Sequence, residues 1–201
     1  MNLLNQLITR INAFVLLIIT VVLFYACQPL KDKERICKEN FQKARDLVEN
    51  KQNDSVAMRA ALTLINSSLQ CDSIKKAAVD FKIRLLLGLG NYKEGLAFVD
   101  SLSISEFVYP YKRNLYHKNF LVRLYQSKGE NFKLRLTYKD MSDDLQNYII
   151  DKDLGPQEFE EVFLDLYTLK KRYLDSSIIN HEIDSLKKRY PDKVRFFEFL
   201  Q

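Results

Sequence analysis

Two seven-residue stretches of this chain correspond position by position, 34 residues apart. Gly95-Leu96-Ala97-Phe98-Val99-Asp100-Ser101 lines up with Ala61-Leu62-Thr63-Leu64-Ile65-Asn66-Ser67, and each position agrees in size or polarity. A second pairing sets Asn91-Tyr92-Lys93, Leu96, Phe98 and Asp100 beside Asn131-Phe132-Lys133, Leu136, Tyr138 and Asp140, at an offset of 40 that a longer first helix absorbs. Self-similarity at this period belongs to chains made of repeated supersecondary units. No such unit buries its apolar face alone, so neighbours must stack.

The units read as helices. Five Gly and four Pro in 201 residues are too few turn-formers for a sandwich or a barrel. Apolar residues recur at spacings of three and four: Leu62, Ile65 and Leu69; Val79, Ile83 and Leu86; Phe159, Phe163, Leu166 and Leu169. No stretch sustains the alternation of a strand. Asp54-Ser55 and Asp72-Ser73 are helix-start pairs whose side chains can accept the first orphan N–H groups. Ser103 or Ser105 can start a further helix, and Gly155-Pro156 another, with Pro in its first turn. Thirteen Phe and eleven Tyr supply a large core without help from metals or disulfides. The expected fold class is all-α, built of antiparallel helix hairpins.

At Gly90-Asn91-Tyr92-Lys93-Glu94-Gly95-Leu96 the sequence resembles the tetratricopeptide repeat. In that family a Gly-x-Tyr turn precedes the second helix, and a small residue follows three after the Tyr. Gly90 can take the positive φ that ends a helix. Tyr92 fills the gap between paired helices, and Gly95 lets two backbones approach. The copy with Gly129, Phe132 and Leu136 has Arg135 at the small position, and the copy with Ala61 and Leu62 lacks the Gly-x-Tyr turn. The resemblance covers residues 38–150, and Tyr190-Pro191 looks like the close of a further repeat. It implies a short right-handed solenoid over residues 34–201, with the first helix of each pair lining a groove that takes peptides. Lys112, Tyr116, Asn119 and Arg123, spaced at four, three and four, form one stripe on such a helix. By the resemblance, that stripe suits an acidic or carboxyl-terminal peptide. The alternative is that the nearby tyrosines pack inside and the charges only solubilise.

Ahead of the helices, residues 11–26 read INAFVLLIITVVLFYA, with Arg10 before them. Sixteen helical residues span about 24 Å, short of the ~30 Å hydrocarbon core of a bilayer. That length suits the apolar region of a signal peptide. Phe24-Tyr25-Ala26-Cys27 resembles a bacterial lipobox, in which a small residue precedes the cysteine that receives the lipid; Phe24 stands where Leu is usual. The resemblance implies a signal peptide over 1–26, acylation of Cys27, a tether over 27–33 and a helical-repeat domain over 34–201. Several acyl chains, at about 0.8 kcal/mol per buried CH₂, would hold the protein firmly. Gln28 after the cysteine, where retention in the inner membrane uses Asp, points to a periplasm-facing protein of the outer membrane. The alternative is an uncleaved span over 11–30. With Cys27 acylated, Cys37 and Cys71 remain, an even number that permits one disulfide in an oxidising compartment. The helical reading puts Cys37 early in one helix and Cys71 just past the end of the next. The alternative is two separate buried thiols.

The net charge of +5 is spread rather than patched, with basic and acidic residues alternating as in Lys31-Asp32-Lys33-Glu34-Arg35. The runs Lys170-Lys171-Arg172 and Lys187-Lys188-Arg189 fall at expected helix ends, where they offset the helix dipole. Nucleic acid is therefore not an expected partner. No phosphate-binding Gly loop, nucleophile elbow, His-Glu-x-x-His or Cys-x-x-Cys motif is present. The two histidines, His117 and His181, lie far apart, and the acidic pairs Asp143-Asp144 and Glu160-Glu161 diverge by about 100° on a helix. No catalytic residue, metal or cofactor is expected. The expected function is that of a membrane-anchored, non-catalytic helical-repeat protein mediating protein–protein interaction in the bacterial cell envelope. Alternatives are an immunity-type lipoprotein that blocks a single exported protein, a single-pass membrane protein with a helical-repeat domain, and, third, an unusual hydrolase.

Overall fold

The computed structural model describes residues 32–50 and 54–200. Among the described residues every regular element is a helix, so the fold is all-α. In chain order these are α1 (32–49), α2 (Ser55–Ser68), α3 (Lys75–Gly88), α4 (Tyr92–Ser101), α5 (Tyr111–Ser127), α6 (Asn131–Asp151), α7 (Pro156–Lys170), α8 (Ser176–Arg189) and α9 (Val194–Leu200). The expected signal segment 1–26, Cys27 and the tether up to residue 31 lie outside the described residues; α1 already begins at residue 32. No helix among the described residues is long and apolar enough to cross a membrane.

Two helix starts follow from local chemistry. The Asp54 side chain accepts from Val56 N at 2.8 Å and Ala57 N at 3.4 Å, capping α2. Gly155 precedes Pro156 at the first position of α7, where a missing N–H costs nothing. Ser103 caps only one 3-10 turn, Ile104–Glu106, with Glu106 reaching back to the Ser103 backbone N–H at 2.8 Å. The long helix waits until Tyr111. Pro110 disfavours a helical conformation at the residue before it and offers no N–H to a preceding carbonyl.

The chain divides into two compact units, Met1–Leu85 and Leu86–Gln201. In the first, Ala44 of α1, Ala61 and Ile65 of α2 and Leu85 of α3 form a buried core, flanked by Phe41, Met58 and Phe81. The rings of Phe41 and Phe81 meet edge-on at 6.0 Å. The start of α1 is held to the end of α2: Ser68 Oγ donates to the Cys37 carbonyl at 3.1 Å, and Asn40 Nδ2 donates to Ser67 Oγ at 2.9 Å. Cys37 and Cys71 are joined there in a disulfide, with Cα atoms 6.3 Å apart. The pair is an antiparallel hairpin.

In the second unit α4 packs on α5, α5 on α6 and α6 on α7, each antiparallel to the last, around a core contributed by α5 to α9. Helix α9 returns to this core, burying Phe197 and Leu200, and Phe197 meets Phe163 ring to ring at 5.5 Å.

The 34-residue repeat is a repeat of burial as well as of sequence. Ala61 and Gly95 are buried, as are Ile65 and Val99; Leu62 and Leu96, and Leu64 and Phe98, are half-buried; the other three pairs are exposed. The 40-residue offset behaves differently. Phe132 is 77% exposed and Leu136 51%, while Tyr92 and Leu96 are half-buried. Helix α6 instead buries Tyr138, Met141, Ser142 and Leu145. The cause lies at the small position: Arg135, exposed, stands where Gly95 admits a ring, so α6 docks through another face. Gly90 (φ 74°) and Gly129 (φ 68°) both take the left-handed conformation that ends a helix without steric cost.

Gly95 is packed tightly against α5. A Cβ there would lie 2.1 Å from one carbon of the Phe120 ring and 2.2 Å from another, and Phe120 is itself fully buried. Gly95→Ala should therefore destabilise the fold by about 1–3 kcal/mol despite the better helix propensity of Ala. Trimming the ring, as Phe120→Leu in the same chain, should return part of the loss. Urea denaturation of the parent and the two variants checks this, and a Gly95→Ala protein as stable as the parent would contradict the close packing.

Candidate interaction surfaces

The first residue of the α5 stripe is structurally committed. Lys112 Nζ lies 2.6 Å from Asp165 Oδ2 and 3.1 Å from Glu161 Oε2, both on α7, and its side chain is only 12% exposed. Tyr111 Oη donates to the same Asp165 oxygen at 2.9 Å. Burial pushes the Asp165 carboxyl above the usual carboxylate range, with Lys112 opposing. Burial pulls the Lys112 ammonium down, but Asp165 and Glu161 outweigh it and leave it above its ordinary value. Tyr116 is half-buried with its ring 6.4 Å from that of Phe107; Asn119 is half-buried; Arg123 donates to Gln126 at 3.2 Å. One turn along, Lys118 is neutralised by Asp140 and Asp144 of α6. The residues do share one helix, yet the leading cation ties α5 to α7.

A second surface is open. Between α6 and α8, floored by α7, runs a groove of about 500 Å³. Ile149 and Ile150 of α6, Leu186 of α8 and Tyr190 just past its end form its walls, and Phe163, Leu166 and Tyr167 its floor. Ile150 is 77% exposed. Helix α8 presents lining residues at 181, 182, 185, 186 and 189, two adjacent rows over a little more than two turns, about 12 Å of helix, and Tyr190 follows at its end.

The polar groups of this groove are unequal. Glu182, the one carboxylate among the lining residues, accepts from Tyr167 Oη at 3.2 Å and is paired with Lys170, whose side chain is nearly inaccessible. The Lys170 ammonium also sits 5.3 Å from the centre of the Tyr167 ring. Burial first, then the Glu182 charge, pushes the Tyr167 phenol well above its ordinary range. Arg189 lies over the Tyr190 ring at 5.5 Å and has no ion-pair partner among the described residues. His181 stands on the rim. The other histidine, His117, is on α5 with Nδ1 2.7 Å from Asp100. Among the described residues no three His, Cys, Asp or Glu converge as metal ligands.

Periodicity alone does not reveal this groove, because its walls come together only through tertiary packing. One signal was present. On α6 Ile149 continues the stripe of Tyr138, Met141 and Leu145, and Ile150 points about 100° away from it. No protein-family model, curated protein or solved structure matches this chain.

Two outcomes follow from these bonds. Lys112→Met leaves Asp165 with its principal counter-charge removed and should cost about 3 kcal/mol, with Asp165→Asn added to the same chain recovering part of it. Equal stability of Lys112→Met and the parent in a denaturant series would show the pair to be idle. The second outcome concerns alkali. Tyr111, Tyr148 and Tyr167 donate to Asp165, Glu158 and Glu182, and all three phenols are raised above the ordinary 10.0. The fold thus favours their protonated form, a contribution fully present below the unfolded value and lost as pH climbs past 10.0 toward the folded ones. Ultraviolet titration beside circular dichroism should find the last phenols ionising together with loss of helicity. Complete ionisation near pH 10.0 with helicity intact would contradict the bonds.

Proposed function

We propose that this chain is a lipid-anchored, non-catalytic helical-repeat protein that binds another protein at the periplasmic face of the outer membrane. The observation that carries the binding part is the open apolar groove over α7, bounded by helices whose own polar groups are mostly paired within the fold. The charged pairs that an enzyme could use are consumed in helix–helix ties: Asp165 by Lys112 and Tyr111, Glu182 by Lys170 and Tyr167. General acid–base work needs such groups directed into a cleft toward a substrate. In this reading the hairpins stack as a short tetratricopeptide-like, right-handed solenoid. Its support is the position-by-position burial repeat at 61–67 and 95–101 and the left-handed glycines Gly90 and Gly129. The anchor rests on the sequence Phe24-Tyr25-Ala26-Cys27 behind its apolar stretch, and Gln28 favours the outer membrane. A disulfide at Cys37–Cys71 agrees with an oxidising compartment.

Intact mass of the membrane-extracted protein, beside a Cys27→Ser variant, tests the anchor. The parent should lack residues 1–26 and carry acyl chains, and the variant should do neither. An uncleaved, unacylated mass in both would make residues 11–30 a span. Photo-crosslinking in intact cells from Ile150 and from Arg123 tests the binding part. Discrete adducts with another protein are expected from at least one position, and none from either would overturn it.

A further inference from the structure

The groove over α7 has a shape and a charge that select one kind of occupant. Its walls are helices, and a helix has already spent its backbone donors and acceptors on itself. An extended peptide laid here would find no strand edge to pair with and would leave its own backbone groups unpaired against Ile149, Ile150 and Leu186. A helix brings its backbone already satisfied. The lining rows of α8 extend over about 12 Å, and apolar anchors at positions i, i+4 and i+7 of an incoming helix span about 10.5 Å, which fits within that length.

Charge then sets the sign. Glu182 is neutralised by Lys170, so the uncompensated charge of the groove is the Arg189 guanidinium. A cationic rim around an apolar trough favours carboxylates beside the anchors of its occupant. The same argument disfavours a second copy of this chain. The most exposed apolar pair on α6, Phe132 and Leu136, is flanked by Lys133, Arg135 and Lys139, and would bring cations to a cationic rim.

We propose that the groove between α6 and α8 is a docking site for an acidic amphipathic helix of a partner protein, seated on Ile150 and Leu186 and held in register by Arg189. This rests on the protein-binding reading above and names the chemistry of the partner.

The test uses the full chain in detergent and a synthetic, fluorescently labelled helical peptide of about 14 residues. The peptide carries Leu at i, i+4 and i+7 with Glu beside them, and a twin carries Lys in place of Glu. Fluorescence anisotropy should show the Glu peptide binding at least about tenfold more tightly than the twin. Ile150→Glu and Arg189→Glu should each weaken it by a similar factor, with circular dichroism unchanged because both side chains border solvent. Equal binding of both peptides, no binding of either, or indifference to both substitutions would overturn the proposal. Sedimentation showing a dimer that Ile150→Glu dissolves would assign the groove to a second copy instead. Binding to phosphatidylglycerol vesicles that the Cys27→Ser chain retains and Ile150→Glu loses would assign it to lipid. Adducts from Arg123 but not Ile150 in cells would leave protein binding standing and remove only this site.

Discussion

The second unit depends on the burial of α7. Val162, Phe163, Leu166, Tyr167, Leu169 and Lys170 are all withdrawn from solvent, so this helix is covered on most of its circumference over its last two turns. A helix in that position cannot send its polar side chains to water, and each must find a partner on a neighbour. Asp165 finds Tyr111 and Lys112 on α5; Glu158 finds Tyr148 on α6; Lys170 and Tyr167 find Glu182 on α8. Three neighbouring helices are thus fixed against α7 by a tyrosine hydroxyl on a carboxylate. Apolar packing alone would tolerate sliding by a turn. These bonds do not, because a slip leaves a buried hydroxyl and a buried charge both unpaired.

That dependence explains which features were legible in the sequence. Spacings of three and four, scarce Gly and Pro, and the Asp54 and Gly155-Pro156 starts report on each helix separately, and each is a local property of the chain. The 34-residue correspondence was legible for the same reason: Ala61 and Gly95 are small because another helix crosses close by, and a small side chain is visible without coordinates. The 40-residue correspondence matched residue types but not surroundings. Arg135 in the small position was the warning, since a guanidinium does not occupy the gap a glycine leaves for Phe120.

The α5 stripe failed to read as a structural element for a different reason. On a helix wheel Lys112, Tyr116, Asn119 and Arg123 share a face, and nothing in that spacing tells a solvent face from one opposed by carboxylates 49 and 53 residues away. The partners of Lys112 are Glu161 and Asp165, one turn apart on α7, and Asp165 lies among apolar neighbours where a carboxylate is anomalous. An acid embedded in an apolar helix face is the sequence sign of a remote cation or phenol. Glu182, with Ile178, Ile179 and Leu186 three and four residues away on α8, follows the same rule.

The groove inherits its form from this core. Phe163, Leu166 and Tyr167 both fill the interior and floor the groove, so the trough is held open by packing that exists before any partner arrives. A site fixed in this way loses little conformational entropy on binding, and more of the contact energy remains as affinity. It also means that floor residues cannot separate recognition from folding: Leu166→Ala removes core volume and groove surface together. Ile150 and Arg189 stand outside that overlap. Ile150 projects into solvent from the wall, and Arg189 closes the last turn of α8 over the face of Tyr190, where its charge lies over the groove instead of inside the core. In the proposed docking, recognition would rest on these two positions, whereas the floor belongs to the fold.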